Sequence, residues 1–342
     1  MNARLRSILL MTWALLPLPW AGAAADALPE SMELVYEVTL GVAELGSLIS
    51  KLERRGDGFE VTAETRVDRL DRGIDALIRY GEQLAEAVNA DFSCRPRQIT
   101  MLTDIGASIA PMKHAKKHLR KWMKGEKRPT LFPLNLLGGR SRIEYQPLGA
   151  VGIISPWNFP VSMVFAPMSG ALAAGNRVMI KPSEFTPATS EVLKTLIEDA
   201  YDAREVAIFT GGPEVGQAFS NLALDHLLFT GATSVARHIM AAAARNLVPV
   251  TLELGGKSPV IISRSADIQQ SLGRIMMGKT LNAGQICLAP DYLLVPEEKL
   301  HEVIAAAQAA VTAMYPKLLD LSLIHISEPT RLGMLSRMPS SA

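Results

Sequence analysis

The stretch AVGIISPWNFP, residues 150 to 160, decides the fold. Its first five residues form a short apolar run, and a helical period follows from about Val161 to Ala174. The pattern then repeats: RVMIK (177–181) precedes a helix from about Pro187 to Ala200, and VAIF (206–209) precedes one after Pro213. HLLF (226–229) precedes a helix from about Thr233 to Arg245, and VTLEL (250–254) closes the series. Short β-rich runs joined through helices of this length imply parallel strands with right-handed crossovers, hence an α/β doubly wound sheet. Such sheets bind ligands beyond the carboxyl ends of their strands. The residues to inspect are therefore Ser155 to Asn158, Lys181 to Glu184, Gly211-Gly212, Thr230-Gly231 and Glu253 to Lys257.

Upstream of this series the character differs. Residues 1–25 carry Arg4 and Arg6, an apolar run from Ile8 to Trp20 and a small-residue stretch, the three-part layout of a signal peptide. A short N-terminal anchor is the alternative, disfavoured by Pro17 and Pro19; no stretch predicts a stable membrane span. Residues 26–67 read as a β-meander: MELVYEVTLG, then GSLISKLERR, the Gly56-Asp57-Gly58 turn, and FEVTAETRV. From Asp68 to about Asn89 the period is helical, with Leu70, Ile74, Leu77, Ile78 and Leu84 on one face. A second helix is predicted from about Gln98 to Lys124.

The chain of 342 residues balances 35 Lys and Arg against 34 Asp and Glu, so its net charge of +1 gives no electrostatic case for nucleic acid. The basic end of the second helix, PMKHAKKHLRKWMKGEK, accordingly reads as a solvated face rather than an RNA or DNA surface. His114 and His118 stand four apart, but lysines surround both and no metal site is expected. Only two cysteines occur, Cys94 and Cys287, which excludes a disulfide scaffold or a Cys-built zinc site. Each is either buried filler or a reactive thiol. Gly256-Lys257-Ser258 imitates the end of a P-loop, but Thr251 stands where that motif requires glycine. A G-x-G-x-x-G fingerprint is also absent, since Pro213-Glu214-Val215 separates Gly212 from Gly216.

Five pieces in order, ISPWNFP, MIKPSE, FTGATSV, LELGGKSP and GQICLAP, resemble the aldehyde dehydrogenase superfamily, nearest to its bacterial coniferyl aldehyde dehydrogenase-like members. The resemblance runs from about Asp68 to about Pro316. It implies a helical entry and NAD-binding domain at 68–254 and the start of an α/β catalytic domain at 255–316. It also implies NAD-dependent oxidation of an aldehyde, an aromatic one by the nearest likeness, to a carboxylic acid. In that chemistry the Cys287 thiolate attacks the aldehyde carbon to give a thiohemiacetal, and the Asn158 amide and the Cys287 backbone N–H hold its oxyanion. Glu253 then activates water against the thioester, its basicity raised by burial near Leu252 and Leu254. By the residues alone, Glu253 reads equally as a carboxylate capping strand-end amides.

For the cofactor, the resemblance places Lys181 and Glu184 at the adenosine ribose, where a carboxylate favours NAD over NADP. Gly231 and the following helix start receive the pyrophosphate. Ser155, Trp157, Ser183, Gly212, Gly216 and Leu254 complete the expected cofactor set. Ala232 departs from the family's usual serine and Ala236 from its usual glycine, and the lost phosphate hydrogen bond is worth about 1 kcal/mol. The family leads to a homo-oligomer built through a β-extension, with no nucleic-acid partner and a cytoplasmic location.

Residues 317–342, including LSLIHISEPTRLGMLSRMPSSA, follow neither the family nor any periodicity and read as a non-native tail. With an export-type N-terminus, judged a fusion artefact, and a β-segment foreign to the dehydrogenase, the expectation is a chimera around a truncated and inactive enzyme, its apolar faces on PVII and YLLV partly uncovered. An exported β-rich binding module is the competing class.

Overall fold

The computed structural model describes residues 31–40, 43–55, 58–59, 63–93 and 95–316, with side chains described from Ala63 onward, Glu64 excepted. The expected signal peptide, Cys94 and the C-terminal tail lie outside the described residues. Strands β1 (Ser31–Leu40), β2 (Ala43–Arg55) and β3 (Gly58–Phe59) pair antiparallel in that order, as the meander reading requires. Of the strand expected over FEVTAETRV, Phe59 lies in β3, and Glu60 to Thr62 lie outside the described residues. Helix α1 (Ala63–Arg79) begins inside it, because Val67, Leu70, Ile74 and Leu77 repeat at helical spacing and pack together. Ile78 does not join that face: it is 63% exposed, one helical step of about 100° beyond Leu77.

Helix α2 (Gly81–Phe92) follows, and the second predicted helix divides into α3 (Arg97–Thr100), a π-helical turn (Met101–Gly106) and α4 (Ala107–Trp122). Met112, Ala115 and Leu119 of α4 are buried while Lys113, Lys116, Lys117 and Lys121 face solvent, in keeping with a solvated basic face. The rings of His114 and His118 lie 4.2 Å apart, the His118 Nδ1 meets the His114 carbonyl at 2.8 Å, and no group of potential metal ligands occurs among the described residues. A two-stranded antiparallel ribbon, β4 (Glu126–Arg128) with β5 (Ser141–Ile143), then leads to the main sheet.

That sheet contains β6 (Ala150–Ile154), β7 (Arg177–Lys181), β8 (Val206–Ile208), β9 (His226–Gly231) and β10 (Val250–Leu254), all parallel, in the order β10-β9-β6-β7-β8. Helices α5 (Ser162–Ala173), α6 (Pro187–Ala200), α7 (Pro213–Ser220) and α8 (Thr233–Ala244) make the crossovers. The two-residue period of β6 sends Val151 and Ile153 into a core shared with α1, α5 and α6. Ala150 and Ile154 go to a separate core with α7 and α8. Both faces being covered explains why these strands read as unbroken apolar runs. The order reverses at β6, and in sheets of this topology ligands bind at the carboxyl end of that strand, here between the segments after β6 and β9.

Beyond β10, strands β11 (Ser258–Ile261) and β12 (Pro290–Leu294) pair in parallel with α9 (Ile268–Thr280) and α10 (Leu300–Met314) around a small core of Ile262, Ile268, Leu272, Val303 and Ala306. Ile261 is 77% and Leu294 52% exposed, as expected of partly uncovered apolar faces. Among the described residues no helix is long and apolar enough to cross a membrane.

Candidate active site

The segment after β6 carries the first candidates. Ser155 is fixed by its backbone N–H, which donates to the Lys181 carbonyl at 3.1 Å, while its buried Oγ meets no partner among the described residues. Trp157 leans on Phe92, ring centroids 6.0 Å apart, and so forms a wall backed by α2. Asn158 donates from Nδ2 to the carbonyl of Gln285 at 2.8 Å, across 127 positions of sequence. That bond joins the parallel sheet to the segment of Cys287. An amide nitrogen has two N–H groups, so one stays available for a ligand oxygen.

Cys287 is a free, partly buried thiol in the turn between Ile286 and Ala289. The preceding residues are unusual. After α9 the chain makes a 3₁₀ turn, Leu281–Gly284, in which Asn282 (φ 50°), Ala283 (φ 54°) and Gly284 (φ 76°) are all left-handed. Glycine adopts this region freely, whereas asparagine tolerates it and alanine is strained there. The side chain of Asn282, 1% exposed, donates to the Asn158 carbonyl at 3.0 Å and fixes the turn.

Glu253 sits near the carboxyl end of β10, in register with Thr230 of β9, and Leu254 is in register with Gly231. Both pairs therefore share the edge that carries Ser155. Glu253 itself is exposed, although Leu252 and Leu254 are partly buried, so the burial expected to raise its basicity is not present. Alternate side chains of a strand point to opposite faces, which sends Glu253 away from its apolar neighbours.

The remaining candidates surround the same edge. Lys181, 2% exposed, donates to Glu184 at 2.6 Å, and the Glu184 carboxylate keeps partial access to solvent. Ser183 is spent within its own turn: its Oγ accepts from the Phe185 N–H, and its carbonyl from Ser190 Oγ at 3.1 Å. Gly212 precedes α7 and donates its N–H to Glu214 at 3.0 Å. One turn on, a Cβ at Gly216 would lie 3.9 Å from Lys181, which puts the two candidates side by side. A Cβ at Gly231 would meet the Phe229 ring at 2.6 Å, so any larger residue there would have to displace that ring. Ala232 then caps α8 with no side-chain hydrogen bond, leaving the first-turn N–H groups without a capping side chain.

Two residues that the sequence reading missed support this edge. Arg95, fully buried, donates to Asp104 at 2.6 Å, to Thr103 at 2.8 Å and to the Asn158 carbonyl at 3.0 Å. Asp104 lies in the π-helical turn, and its other oxygen accepts from the Val161 and Ser162 N–H groups at the start of α5. Burial pushes the Asp104 carboxyl up and the Arg95 guanidinium down, and their mutual attraction opposes both shifts. The available signal was a charged residue, Asp104, spaced four from Thr100 and Ser108 along the face that also buries Met112 and Ala115.

A doubly wound parallel sheet with a cysteine turn hydrogen-bonded to its carboxyl edge defines the class. The chain belongs to the aldehyde dehydrogenase family, whose model matches residues 57–318. It is 59% identical over 260 residues to a "Probable coniferyl aldehyde dehydrogenase" of Caulobacter vibrioides, covering 76% of this chain and 54% of that protein. It is 51% identical over 282 residues to the "Coniferyl aldehyde dehydrogenase" of a Pseudomonas species, covering 82% and 58% respectively. The chain thus spans little more than half the length of these relatives.

Among solved structures, the "Substrate bound state of Staphylococcus Aureus AldH" superposes with a TM-score of 0.73 at 38% identity, covering 77% of this chain and 57% of that one. An NAD+ complex of an aldehyde dehydrogenase from Bacillus cereus gives 0.66 at 30% identity over 75% of this chain and 51% of that one. An E. coli NADP-dependent enzyme gives 0.67 at 26% identity over 74% and 52%.

Proposed function

We propose that this chain carries the cofactor-binding and nucleophile-bearing parts of an NAD-dependent aldehyde dehydrogenase that oxidises an aromatic aldehyde to its carboxylic acid. The observation that carries the reading is the 2.8 Å hydrogen bond from Asn158 Nδ2 to Gln285, which ties an amide donor to the turn of Cys287. The names of the two coniferyl aldehyde dehydrogenase relatives support the aromatic substrate class.

The residues fit a dinucleotide. The start of α8, capped by no side chain and preceded by Gly231, suits a pyrophosphate, which is drawn to unpaired backbone N–H groups and the positive end of the helix dipole. The partly exposed Glu184 carboxylate suits a ribose hydroxyl and repels a 2′-phosphate, which favours NAD over NADP. Ser155 Oγ, buried at the edge of the same crevice, needs a partner that a ligand can supply. When bound, the dinucleotide supplies the hydride acceptor that aldehyde oxidation requires and no side chain can provide.

The chain's own residues do the rest. The Cys287 thiolate adds to the aldehyde carbon, and the carbonyl oxygen gains the electron pair displaced from the C=O bond. The second N–H of the Asn158 amide and the backbone N–H of Cys287 stabilise that oxyanion. Glu253 takes a proton from the water that releases the acyl group, and its exposed position at the sheet edge leaves it free to reach that water. A free thiol used as a nucleophile suits the reducing cytoplasm. Leu131, Phe132, Leu136 and Leu137, each at least 70% exposed on the ribbon between β4 and β5, support a homo-oligomer that covers them.

The test uses p-nitrophenyl acetate, whose acyl transfer to a thiolate needs no dinucleotide. The expected result is p-nitrophenolate release that Cys287→Ala abolishes while NAD binding, read by fluorescence titration, stays within about twofold, since the thiol does not hold the dinucleotide. Retained release in Cys287→Ala would remove the cysteine from its role.

A further inference from the structure

The Asn158 side chain can act as an oxyanion donor only if its backbone holds still, and the structure devotes an unusual set of groups to that carbonyl. Arg95 Nη1 donates to it at 3.0 Å from one side and Asn282 Nδ2 donates to it at 3.0 Å from the other. The amide at the far end of Asn158 reaches Gln285, whose carbonyl also receives Asn282 at 3.5 Å. Asn158, Asn282 and Gln285 therefore close a ring of hydrogen bonds two residues before the nucleophile.

Arg95 is itself immobilised. Its guanidinium lies between the rings of Phe92 and Phe159, 5.0 and 5.1 Å from their centroids, and Asp104 holds a second nitrogen at 2.6 Å. Both charged side chains are completely buried. A buried ion pair is generally no more stabilising than a well-packed apolar pair, so stability alone does not account for it. What the charge adds is direction, because the planar guanidinium bonds Asp104 and the Asn158 carbonyl at once. The left-handed turn at Asn282 and Ala283 points the same way, since such backbone persists where surrounding contacts over-determine it.

We propose that Arg95 and Asn282 are positioning residues that clamp Asn158 and the Cys287 turn in the geometry needed for oxyanion stabilisation. The proposal rests on the roles of Cys287 and Asn158 given above. It requires that loosening the clamp slow reactions that develop an oxyanion and spare those that do not.

Two reactions of the same thiolate separate these cases in the full 342-residue chain. Acylation by p-nitrophenyl acetate forms a C–S bond through a tetrahedral oxyanion and expels p-nitrophenolate. Alkylation by iodoacetamide forms a C–S bond by direct displacement of iodide, with no oxyanion. Cys287 alkylation is followed by peptide mass spectrometry, which keeps it distinct from Cys94.

Asn282→Gly removes the clamping amide at a φ that glycine accepts. Arg95→Lys keeps the charge opposite Asp104, but its compact ammonium lacks the planar fork whose two separate nitrogens reach Asp104 and the Asn158 carbonyl. Each should lower the acylation rate about 10- to 100-fold, with alkylation within about threefold of wild type. If both rates fall together, or neither falls, the clamp has only a structural role and the proposal is overturned. Should Arg95→Lys not fold, Asn282→Gly decides alone. Wild-type chain without Cys287-dependent acylation would refute the proposed function instead, and the clamp would have no donor to position.

Discussion

Replacing Asn158 by leucine removes the proposed oxyanion donor while keeping the volume and the backbone of the site. Its cost to folding can be worked from the contacts. The side chain makes a single hydrogen bond among the described residues, the 2.8 Å bond to Gln285, worth about 1 kcal/mol. The carbonyl keeps both its donors, Arg95 and Asn282, because they bind the backbone. For a folded unit of this size the loss corresponds to a melting shift of about 2–4 °C. The rate should suffer far more, since removal of one oxyanion donor costs roughly 10²–10³-fold, or about 2.7–4 kcal/mol. Stopped-flow acylation of Cys287 by p-nitrophenyl acetate, alongside thermal melts, measures both quantities on one sample. Acylation within threefold of wild type would refute the donor role. A melting loss well above 4 °C, with alkylation and acylation slowed alike, would show that Asn158 holds the turn rather than the oxyanion.

Three further outcomes are expected. Glu253→Gln should give a normal burst of p-nitrophenolate and then stall, with acyl-enzyme visible by intact mass spectrometry and deacylation slowed about 10²-fold; a slow first phase with no burst would place Glu253 in an earlier step. Asp104→Asn leaves the Arg95 charge buried without its counter-ion and should cost about 3–5 kcal/mol in urea unfolding at unchanged slope, whereas Arg95→Met combined with Asp104→Leu should cost distinctly less; equal costs would contradict the account of the pair. His226, whose Nε2 meets Thr251 Oγ1 at 2.9 Å, has its proton affinity lowered by burial, so the native state binds fewer protons than the unfolded one. The stability it contributes is therefore complete above the ordinary histidine range and is lost as pH falls below about 6.5. Melting temperatures of wild type and His226→Gln between pH 7.5 and 5 should converge toward low pH, and parallel curves would show that His226 contributes nothing to the slope.

The parallel sheet was legible because its signal is local. The runs at 150–154, 177–181 and 250–254 coincide with β6, β7 and β10, and Pro187 opens α6 where its fixed φ and missing N–H are tolerated. The strand order was legible only as a class, since the reversal at β6 depends on which face each crossover takes. The region between Phe59 and Arg79 was misread at its start for a physical reason. Glu60, Val61, Thr62 and Ala63 alternate as a strand would, and only packing of the later Val67 and Leu70 against the core extends the helix back to Ala63.

The site divides along the same line. Cys287, Glu253 and Asn158 stand in short motifs, two at the ends of strands and one in the turn before β12, so the residues proposed to carry the chemistry could be named once the family resemblance was seen. The residues that aim them could not. Arg95 reaches Asn158 across 63 positions and Asp104 reaches Val161 across 57, from a loop and a helix with no motif of their own. For Glu253 the expected surroundings were wrong, because strand alternation turned it to solvent while its sequence neighbours suggested burial. The proposed reacting groups lie beyond the carboxyl end of the parallel sheet, and the loop and π-helical turn that carry Arg95 and Asp104 hold Asn158 and the start of α5 there. A change at Arg95 or in the π-helical turn that holds it can thus reach the Cys287 turn through the Asn158 carbonyl without altering any residue of the five motifs.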